Sequence, residues 1–464
     1  MLPDITGLPD ITGLPVLVAG AGVSGRAAAT ALVELGARVT VTDAVPDRLV
    51  DLPPGALAGA ARDLLPPGTA LVVTGPGRRP DHALVAAARA AGVPMVGEPE
   101  LAWWLGARCP EPPVWLAVTG TNGKTTTVGM LATILRSAGL DAIACGNIGY
   151  PVVAAVRAGH RVLAVELSSF QLHWSPSLRP AVGCVLNVAQ DHLDWHGGFA
   201  AYAAAKAGAL TGPVAVAGVD DPAAAALLAT SPAPRKVGVT LGEPADGEFG
   251  IIDGVLVDRA FGDGPTPLVA AVEVHPGGPP GWTDALAAAA VARAFGVEPT
   301  SVATGIAAFC PGPHRCETVA TVAGVRYVDD SKATNPHAAA ASLAAQAPSR
   351  VVWIVGGLLK GASVDELVAA HAVRLRAAVV IGAERGEIVG ALARHAPDVP
   401  VVEVVAGDDG PMTTAVRRAA AFARPGDVVL LAPAAASMDQ FVDYAHRGNA
   451  FAGAVAALRD QEPT

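Results

Sequence analysis

Short apolar strands alternate with alanine-rich helical segments along most of the chain. In the C-terminal third, helical segments of about 10–15 residues separate apolar runs at 326–328, 351–355, 378–381, 401–405 and 428–431. This spacing predicts βαβ crossovers and a parallel sheet, because parallel strands need a helix-sized connection. The polar segments SKATN, LLKG and AAASMDQF each follow such a strand, so we expect a ligand-binding edge on this part of the protein.

The first two-thirds of the chain contain two further α/β patterns. Apolar strands at 16–19 and 38–42 enclose a glycine turn and a helix, and a strand at 114–118 runs into a second glycine-rich loop. The pattern changes at 237–274 to short, glycine-punctuated strands, with a hairpin predicted at Asp253–Gly254.

Composition narrows the class of protein. Hydrophobic residues make up 52% of the 464 positions and aromatic residues only 4%, which fits alanine- and valine-rich helices packed on parallel sheets. The net charge of −10, without a long basic run, argues against nucleic acid as the main partner. An odd number of cysteines, no secretory signal and no apolar run of about 20 residues predict a cytoplasmic protein without membrane insertion.

The hexamer LPDITG is duplicated within residues 2–13, and we expect this repeat to be a frayed tail.

The loop after the strand at 114–118 is the strongest chemical signal. It has the composition of a phosphate loop, with glycines that expose backbone N–H groups, a lysine for outer phosphoryl oxygens and a hydroxyl for Mg²⁺. Its candidate nucleotide-binding residues are Gly120, Thr121, Asn122, Gly123, Lys124, Thr125 and Thr126. Val118 stands where the usual motif has its first glycine, so a structural turn with a solvated lysine is the alternative.

The first glycine turn predicts a second phosphate site. Gly20, Gly22 and Gly25 form G-x-G-x-x-G between a strand and a helix, and Asp43 ends the next strand. This pattern is typical of dinucleotide binding, although the same geometry holds any diphosphate, including that of a UDP-sugar. A turn needed only for helix–strand packing is the alternative.

Three polar residues of the central region are candidate metal or catalytic groups. Glu166 ends a strand and is interpreted as a Mg²⁺ ligand, with a helix N-cap as the alternative. His192 is interpreted as a ligand of Mg²⁺ or substrate, whereas His196 is expected to be a surface or capping residue. Lys206, alone in an alanine-rich helix, is expected from composition to be solvated.

The C-terminal region offers a cationic edge. Arg315 follows a predicted linker, where its planar guanidinium could reach phosphates. Asp330 and Lys332 follow one strand and Lys360 follows the next, which favours an anionic substrate over a solvated face.

Together these features predict an α/β protein of three domains. A Rossmann-like N-terminal domain is expected at 1–110, a central parallel sheet of the P-loop ATPase kind at 111–311, and a doubly wound, Rossmann-like C-terminal domain at 312–464. Proline-rich segments at 108–113 and 309–313 are the predicted linkers.

The motifs GTNGKTT, GNIG, ELSSFQL, NVAQDHLDWHG, PGPHRCE, DDSKATNPHA and SMDQFVDYAHRGNAF occur in the order typical of the Mur ligases. From about residue 15 to 458 the chain resembles this family, and in particular its D-glutamate-adding branch. The resemblance implies an ATP-dependent ligase that phosphorylates the carboxylate of UDP-N-acetylmuramoyl-L-alanine and joins D-glutamate to it in cytoplasmic peptidoglycan synthesis. It also implies two Mg²⁺ ions, and we expect a monomer.

The resemblance assigns a role to each candidate residue. The implied catalytic residues are Lys124, Glu166, His192 and Lys206, and the implied metal ligands are Thr125, Glu166, His192 and Lys206, the lysine being carbamylated in the family. ATP contacts are implied for the phosphate loop and for Arg315, Asp330 and Lys332. UDP-sugar contacts are implied for Gly22, Val23, Ser24, Asp43 and Asn147, and D-glutamate contacts for Thr334, Lys360, Ser437, Met438 and Tyr444.

Two positions depart from the family pattern. Asp284 stands where an asparagine is expected near adenine, and Ala44 stands where some members place a hydroxyl for uracil. The alternatives are an NAD-dependent oxidoreductase, a P-loop ATPase without ligase activity, and a family member that adds a different amino acid. SKATN and SMDQF favour D-glutamate over the last of these.

Overall fold

The computed structural model describes residues 10–59, 64–405 and 410–459. They form three sheets in two compact units, with the second unit beginning at Cys310 and also including Gly278–Pro280. None of the helices in these described ranges is long and apolar enough to cross a bilayer.

The N-terminal sheet is entirely parallel, with strand order β3-β2-β1-β4-β5. Its elements are β1 (Pro15–Ala19), α1 (Val23–Glu34), β2 (Arg38–Thr42), β3 (Leu57–Ala58), β4 (Leu71–Thr74), α2 (Ala83–Ala90), β5 (Met95–Gly97) and α3 (Glu98–Gly106). The chain leaves β1 toward β2 on one side and later enters β4 on the other. The carboxyl end of β1 is therefore the switch point, where ligands of such sheets bind.

The duplicated hexamer contributes to this domain. Its first copy lies outside the described residues. In the second copy, Ile11 is buried in the core and Gly13 donates its N–H to the Gly36 carbonyl at 2.8 Å. The expectation of a frayed tail is therefore wrong for this copy.

The central sheet has nine strands in the order β14-β13-β12-β11-β10-β9-β6-β8-β7. Its elements are β6 (Val114–Thr119), α4 (Lys124–Ser137), β7 (Ala142–Gly146), α5 (Val152–Arg157), β8 (Val162–Glu166), α6 (Ser169–His173), β9 (Val182–Val185), α7 (Leu193–His196), α8 (Phe199–Ala207), β10 (Val214–Gly218), α9 (Pro222–Thr230), β11 (Arg235–Val239), β12 (Glu248–Ile252), β13 (Val255–Asp258), β14 (Thr266–Ala270), α10 (Pro279–Ala294) and α11 (Pro299–Ala307). Strand β6 is flanked by β8 and β9, so the loop that follows it meets the carboxyl ends of both neighbours. The predicted hairpin is confirmed, since β12 and β13 are antiparallel around Asp253 and Gly254.

The C-terminal sheet has the order β15-β16-β20-β17-β18-β19. Its elements are β15 (Glu317–Val322), β16 (Val325–Asp329), α12 (Pro336–Ala344), β17 (Val351–Gly356), α13 (Asp365–His371), β18 (Leu375–Ile381), α14 (Arg385–His395), β19 (Val401–Glu403), α15 (Pro411–Phe422), β20 (Val428–Leu431) and α16 (Tyr444–Arg459). All pairings are parallel except that of β15 with β16. Because the last strand, β20, inserts between β16 and β17, the three polar segments identified in the sequence follow adjacent strands.

Three mainly parallel sheets with flanking helices confirm the predicted α/β class. Each of the three sheets has a buried, mainly aliphatic core. The two boundaries predicted from the sequence, at 110/111 and 311/312, remain predictions.

Candidate active site

The loop between β6 and α4 holds its lysine close to the backbone. Gly123 adopts a left-handed conformation, with φ of 83°, immediately before α4 begins at Lys124. The Lys124 Nζ donates to the carbonyl oxygens of Gly120 and Thr121, at 2.9 Å each. The ammonium group is thereby placed over the loop, and the Lys124 side chain is half-buried instead of fully solvated.

A carboxylate lies directly beside this loop. Glu166 is 2% exposed at the end of β8, and its Oε2 accepts a hydrogen bond of 2.7 Å from the Thr125 hydroxyl. Its Oε1 accepts a bond of 2.8 Å from the Asn147 amide. The nearby helix α6 is capped by Ser168, which forms a capping box with Gln171. The N-cap alternative for Glu166 is therefore wrong.

Lys206 is buried rather than solvated. Its side chain is 1% exposed, and its Nζ donates to the Gly120 carbonyl at 2.7 Å and lies 4.7 Å from the centre of the Tyr202 ring. Burial, followed by the positive charge of Lys124, lowers the pKa of Lys206 well below its ordinary value. The expectation from composition is wrong because it describes the average environment of a lysine in an alanine-rich helix. Here α8 packs its Lys206 side chain against the phosphate loop.

Two residues that the sequence did not single out support the phosphate loop. The Asn187 side-chain oxygen accepts from the N–H groups of Thr121 at 3.1 Å and Asn122 at 2.9 Å. The Tyr202 hydroxyl lies 2.9 Å from the Thr121 hydroxyl, at a fully buried position. The spacing of Tyr202 and Lys206, one helical turn apart on α8, is the sequence signal that could have identified the tyrosine.

His192 and His196 belong to one aromatic cluster, made by Phe170, His173, His192, Trp195, His196 and Tyr202. His192 is a left-handed residue at the start of α7, and its Nε2 is 3.5 Å from an oxygen of Asp191. His196 bonds the Ser169 hydroxyl at 2.9 Å, and burial with the neighbouring His173 lowers its pKa to about 4. His196 is half-buried and bonded through its ring to α6, so it is less exposed than the surface residue that was expected.

The N-terminal glycine turn is closed by Asp43. A side chain at Gly25 would place its Cβ 1.8 Å from the Gly20 carbonyl, so this glycine is required for close packing. The Asp43 carboxylate accepts from the N–H groups of Ala21 at 2.7 Å and Val45 at 2.8 Å. Burial opposes ionisation of Asp43, but these backbone bonds outweigh it and lower its pKa.

The N-terminus of α1 is accessible at this turn. Gly22 is the N-cap and uses no side-chain cap, and Val23 is 65% exposed although it is apolar. Ala44 is also exposed beside Asp43. The turn therefore presents residues of the predicted UDP-sugar site at its surface.

Asp284, the departure near the predicted adenine site, contacts the phosphate loop. It is 7% exposed and accepts a bond of 3.1 Å from the Thr127 hydroxyl. A Cβ at Gly123 would lie 2.2 Å from its Oδ1. The carboxylate thus takes part in fixing the first turn of α4.

In the C-terminal unit, the segment after β16 is anchored by a buried arginine. Arg447 is 0% exposed and donates to the Ser331 carbonyl at 2.8 Å, the Ser331 hydroxyl at 3.0 Å and the Ala435 carbonyl at 3.0 Å. Burial lowers the pKa of Arg447 to about 10. His314 Nδ1 is 2.6 Å from Asp329 Oδ2 in the same interior. Sequence reasoning did not assign Arg447, and its place in RGN was the available signal.

The predicted ATP contacts of this unit lie next to that interior. Asp330 accepts from the Ser342 hydroxyl and from the Cys316 N–H, and burial raises its pKa. The Lys332 Nζ is 3.8 Å from the centre of the Tyr444 ring, a cation–π arrangement. Arg315 is half-buried between His314 and Cys316.

The predicted D-glutamate contacts are on adjoining loops. Leu358 and Ala436 exchange two backbone hydrogen bonds of 2.9 Å, which brings the Lys360 loop to the Ser437 loop. Ala434 donates to the Ala333 carbonyl at 2.9 Å, next to Thr334. Ser437 is buried, whereas Met438 is 63% exposed and Lys360 is exposed. A cleft of about 400 Å³ lies beside the Lys360 loop.

The predicted metal ligands differ in how well their donor atoms are gathered. Among the described residues, no group of three or more His, Cys, Asp or Glu side chains is gathered as a metal site. Glu166 and Thr125 nevertheless form a pair of hard oxygen donors at the phosphate loop, which is the donor type that Mg²⁺ prefers. The residues present therefore fit one divalent ion at this pair, while a second would depend on His192 and Lys206.

Comparison with protein families gives matches in all three regions. Residues 118–249 match the Mur ligase middle domain, and residues 314–435 match the Mur ligase glutamate ligase domain. Residues 4–56, which include the first glycine turn, match the C-terminal domain of alanine dehydrogenase/PNT.

Relatives cover nearly the whole chain. The UDP-N-acetylmuramoylalanine–D-glutamate ligase of Nocardia farcinica is 53% identical over 467 residues, covering 96% of this chain and 97% of its own. The ligase of the same name from Mycolicibacterium smegmatis is 51% identical over 498 residues, covering 98% and 99%. The chain therefore belongs to the Mur ligase family. Within that family, these full-length relatives are the UDP-N-acetylmuramoylalanine–D-glutamate ligases, and they do not support the alternative of an oxidoreductase.

Solved structures agree on the fold. MurF from Acinetobacter baumannii matches with a TM-score of 0.60 and 19% identity, over 97% of this chain and 92% of its own. The UDP-N-acetylmuramate–alanine ligase MurC from Thermotoga maritima matches with a TM-score of 0.57 and 16% identity, over 96% and 100%. These similarities establish the three-domain α/β fold.

Proposed function

We propose that the protein is an ATP-dependent ligase that joins D-glutamate to UDP-N-acetylmuramoyl-L-alanine in peptidoglycan precursor synthesis. The observation that carries this proposal is the phosphate loop, whose lysine bonds the loop backbone and whose threonine hydroxyl bonds the neighbouring carboxylate, in a chain with full-length D-glutamate ligase relatives. The solved structure of MurF from Thermotoga maritima, a structural neighbour, is a complex with ADP. This supports the proposal that the present protein uses ATP.

The phosphate loop and Lys124 bind ATP in this proposal. The reaction brings a carboxylate close to a polyphosphate, so like charges must be offset. Lys124 lies within 2.9 Å of two loop carbonyls and can exchange them for phosphoryl oxygens with little movement. Thr126 follows at the N-terminus of α4, where the helix dipole favours an anion.

Thr125 and Glu166 hold the first of two Mg²⁺ ions, and His192 and Lys206 hold the second. Bound there, the ions supply positive charge that neutralises the phosphates. A lysine must become carboxylate-like to serve as such a ligand, and a neutral amine can react with CO₂ to form a carbamate. The lowered pKa of Lys206 supports this assignment, because burial favours the neutral amine.

The remaining assignments divide the substrates between segments. Gly22, Val23, Ser24, Asp43 and Asn147 contact the UDP-sugar. Arg315, Asp330 and Lys332 contact ATP, and Thr334, Lys360, Ser437, Met438 and Tyr444 surround D-glutamate. What supports the last set is the meeting of the loops after β16, β17 and β20.

We extend the proposal to organisation and location. The domains span 1–110, 111–311 and 312–464, and the enzyme works as a monomer in the cytoplasm without membrane insertion. The odd number of free cysteines supports a reducing compartment.

The test is a ligation assay with ATP, Mg²⁺, UDP-N-acetylmuramoyl-L-alanine and a panel of amino acids that includes D- and L-glutamate. Phosphate release and product mass are measured together. We expect D-glutamate to give a product larger by one glutamyl residue, with one phosphate released per product. ATP turnover that is independent of the UDP-sugar would instead identify a P-loop ATPase. A product with a different amino acid would identify another member of the family.

A further inference from the structure

The loop that carries Lys360 is held by its neighbours in an unfavourable backbone conformation. The backbone of Lys360 is left-handed, with φ of 54°. Residues other than glycine rarely adopt this conformation. The Lys360 side chain is exposed, so its own packing does not impose this conformation. The constraint must come from the backbone on either side of it.

Glu384 supplies a contact immediately before Lys360. Its Oε2 accepts a short hydrogen bond from the N–H of Leu359, and its own N–H donates to the Gly357 carbonyl at 3.4 Å. The bond to Leu359 is charge-assisted, which makes it stronger than a bond between neutral groups. Glu384 therefore holds the Lys360 loop at two points.

A second carboxylate joins the loops after β18 and β20. Asp439 Oδ2 accepts a bond of 2.7 Å from the Ala383 N–H. A Cβ at Gly382 would lie 2.4 Å from the Gly357 nitrogen and 2.9 Å from Asp439 Oδ2, so the backbones of the loops after β17 and β18 are in close contact and the Asp439 carboxylate packs against them. The exchange of bonds between Leu358 and Ala436 completes the connection.

We propose that Glu384 is a positioning residue for the amino-acid substrate, acting by fixing the loop that presents Lys360. The inference rests on the proposed function for the identity of that substrate. Glu384 itself need not touch the substrate. Removal of the Glu384 carboxylate should release the loop, so that Lys360 is no longer held in place before the substrate binds. The loop must then become ordered when the substrate binds, and this cost weakens the binding.

The test compares four proteins: wild type, Glu384→Ala, Glu384→Gln and Glu387→Ala. The glutamine retains an acceptor oxygen without the charge. Glu387 is the matched control, because it is an exposed glutamate in the first turn of α14, which begins directly after Glu384, and no bond from its side chain to the Lys360 loop is found among the described residues. The KM values of D-glutamate, ATP and UDP-N-acetylmuramoyl-L-alanine are measured separately, and thermal unfolding checks that each variant is folded.

We expect Glu384→Ala to raise the KM of D-glutamate about tenfold or more, as the loss of a charged hydrogen bond predicts. The other two KM values should stay within about twofold, Glu384→Gln should recover most of the loss, and Glu387→Ala should resemble wild type. Equal changes in all three KM values, or an unchanged KM of D-glutamate in folded Glu384→Ala, would overturn the inference.

Hydrogen exchange of the Leu359 amide gives a readout that does not depend on activity. The amide should exchange faster in Glu384→Ala than in Glu387→Ala, and equal rates would also overturn the inference. If wild type uses a different amino acid, the proposed function fails, and the KM of that amino acid then decides the role of Glu384.

Discussion

The Nζ of Lys206 lies 2.7 Å from the carbonyl oxygen of Gly120, so helix α8 is bonded from inside the domain to the phosphate loop. This contact places an amine with a lowered pKa against the backbone of the predicted phosphate loop. Water is largely excluded, since Lys206 is 1% exposed. Such a site favours the neutral amine, which is the form that reacts with CO₂.

The first prediction concerns this reaction. Removal of CO₂ from the buffer should lower the ligation rate of wild type, and bicarbonate should restore it, because the carbamate forms reversibly. Lys206→Arg keeps a positive charge but cannot form the carbamate, and its kcat should fall by about 10- to 100-fold and not respond to bicarbonate. The measurement is phosphate release in degassed and bicarbonate-supplemented buffers. A wild-type rate that is the same in both, after prolonged degassing, would contradict the carbamate.

Lys124 should be required for phosphoryl transfer. Lys124→Ala removes a cation from the loop, and we expect kcat/KM to fall by about 10²–10³, the usual loss when one charge-stabilising donor is removed. Lys236→Ala, which removes an exposed lysine from the same domain, is the control and should keep wild-type activity. The kcat/KM of both variants is measured by phosphate release. Normal turnover by Lys124→Ala would remove the lysine from its proposed role.

Most of the strands could be predicted from the sequence because their hydrophobic pattern is local. The runs at 38–42 and 428–431 coincide with β2 and β20. Strand β15 was missed because its sequence ETVATV lies on an exposed edge and neither alternates apolar and polar residues nor forms an apolar run. The short strand β5 was missed for a similar reason, since three residues do not make a periodic pattern.

The candidate site could be predicted from the sequence where a motif fixes the backbone. It was harder to predict where the role of a residue depends on its burial. Lys124 and Thr125 follow from the glycine loop, because the motif itself sets their geometry. Lys206 and Arg447 have the same local sequence signal as surface cations, and only the packing of distant segments buries them. Their environment therefore had to come from the family resemblance or from the structure.

A third prediction separates two glycines of the N-terminal turn. Gly25→Ala should destabilise the protein by about 1–3 kcal/mol, because its Cβ would overlap the Gly20 carbonyl and force the backbone apart. Gly22 has φ of −72°, and apart from its chain neighbours no described residue comes within 4 Å of an added Cβ, so Gly22→Ala should change stability by about 0.5 kcal/mol or less. Urea unfolding gives the free energy of unfolding of both variants. Equal stabilities would show that the close approach at Gly25 is not required for folding.

The last prediction concerns Glu98, a buried carboxyl group at the start of α3. Its Oε1 accepts a bond of 2.5 Å from the Val153 N–H at the start of α5, and no hydrogen-bond partner of Oε2 is found among the described residues. Burial raises the pKa of Glu98 from 4.5 to about 7, and the backbone N–H bonds offset only part of this effect. The folded protein therefore keeps the carboxyl protonated at pH values where the unfolded chain has ionised it.

The sign of the pH dependence follows from these two pKa values. Between pH 4.5 and about 7 the folded state binds more protons at this position than the unfolded state. Its contribution to stability is thus fully present below pH 4.5 and is lost as the pH rises through 7, with a slope of up to about 1.4 kcal/mol per pH unit. Glu98→Gln is neutral at every pH, so the stability of this variant relative to wild type should increase across this range. Urea unfolding at several pH values measures the difference, with the exposed Glu298→Gln as control. Parallel curves for wild type and Glu98→Gln would show that Glu98 ionises equally in the folded and unfolded chains.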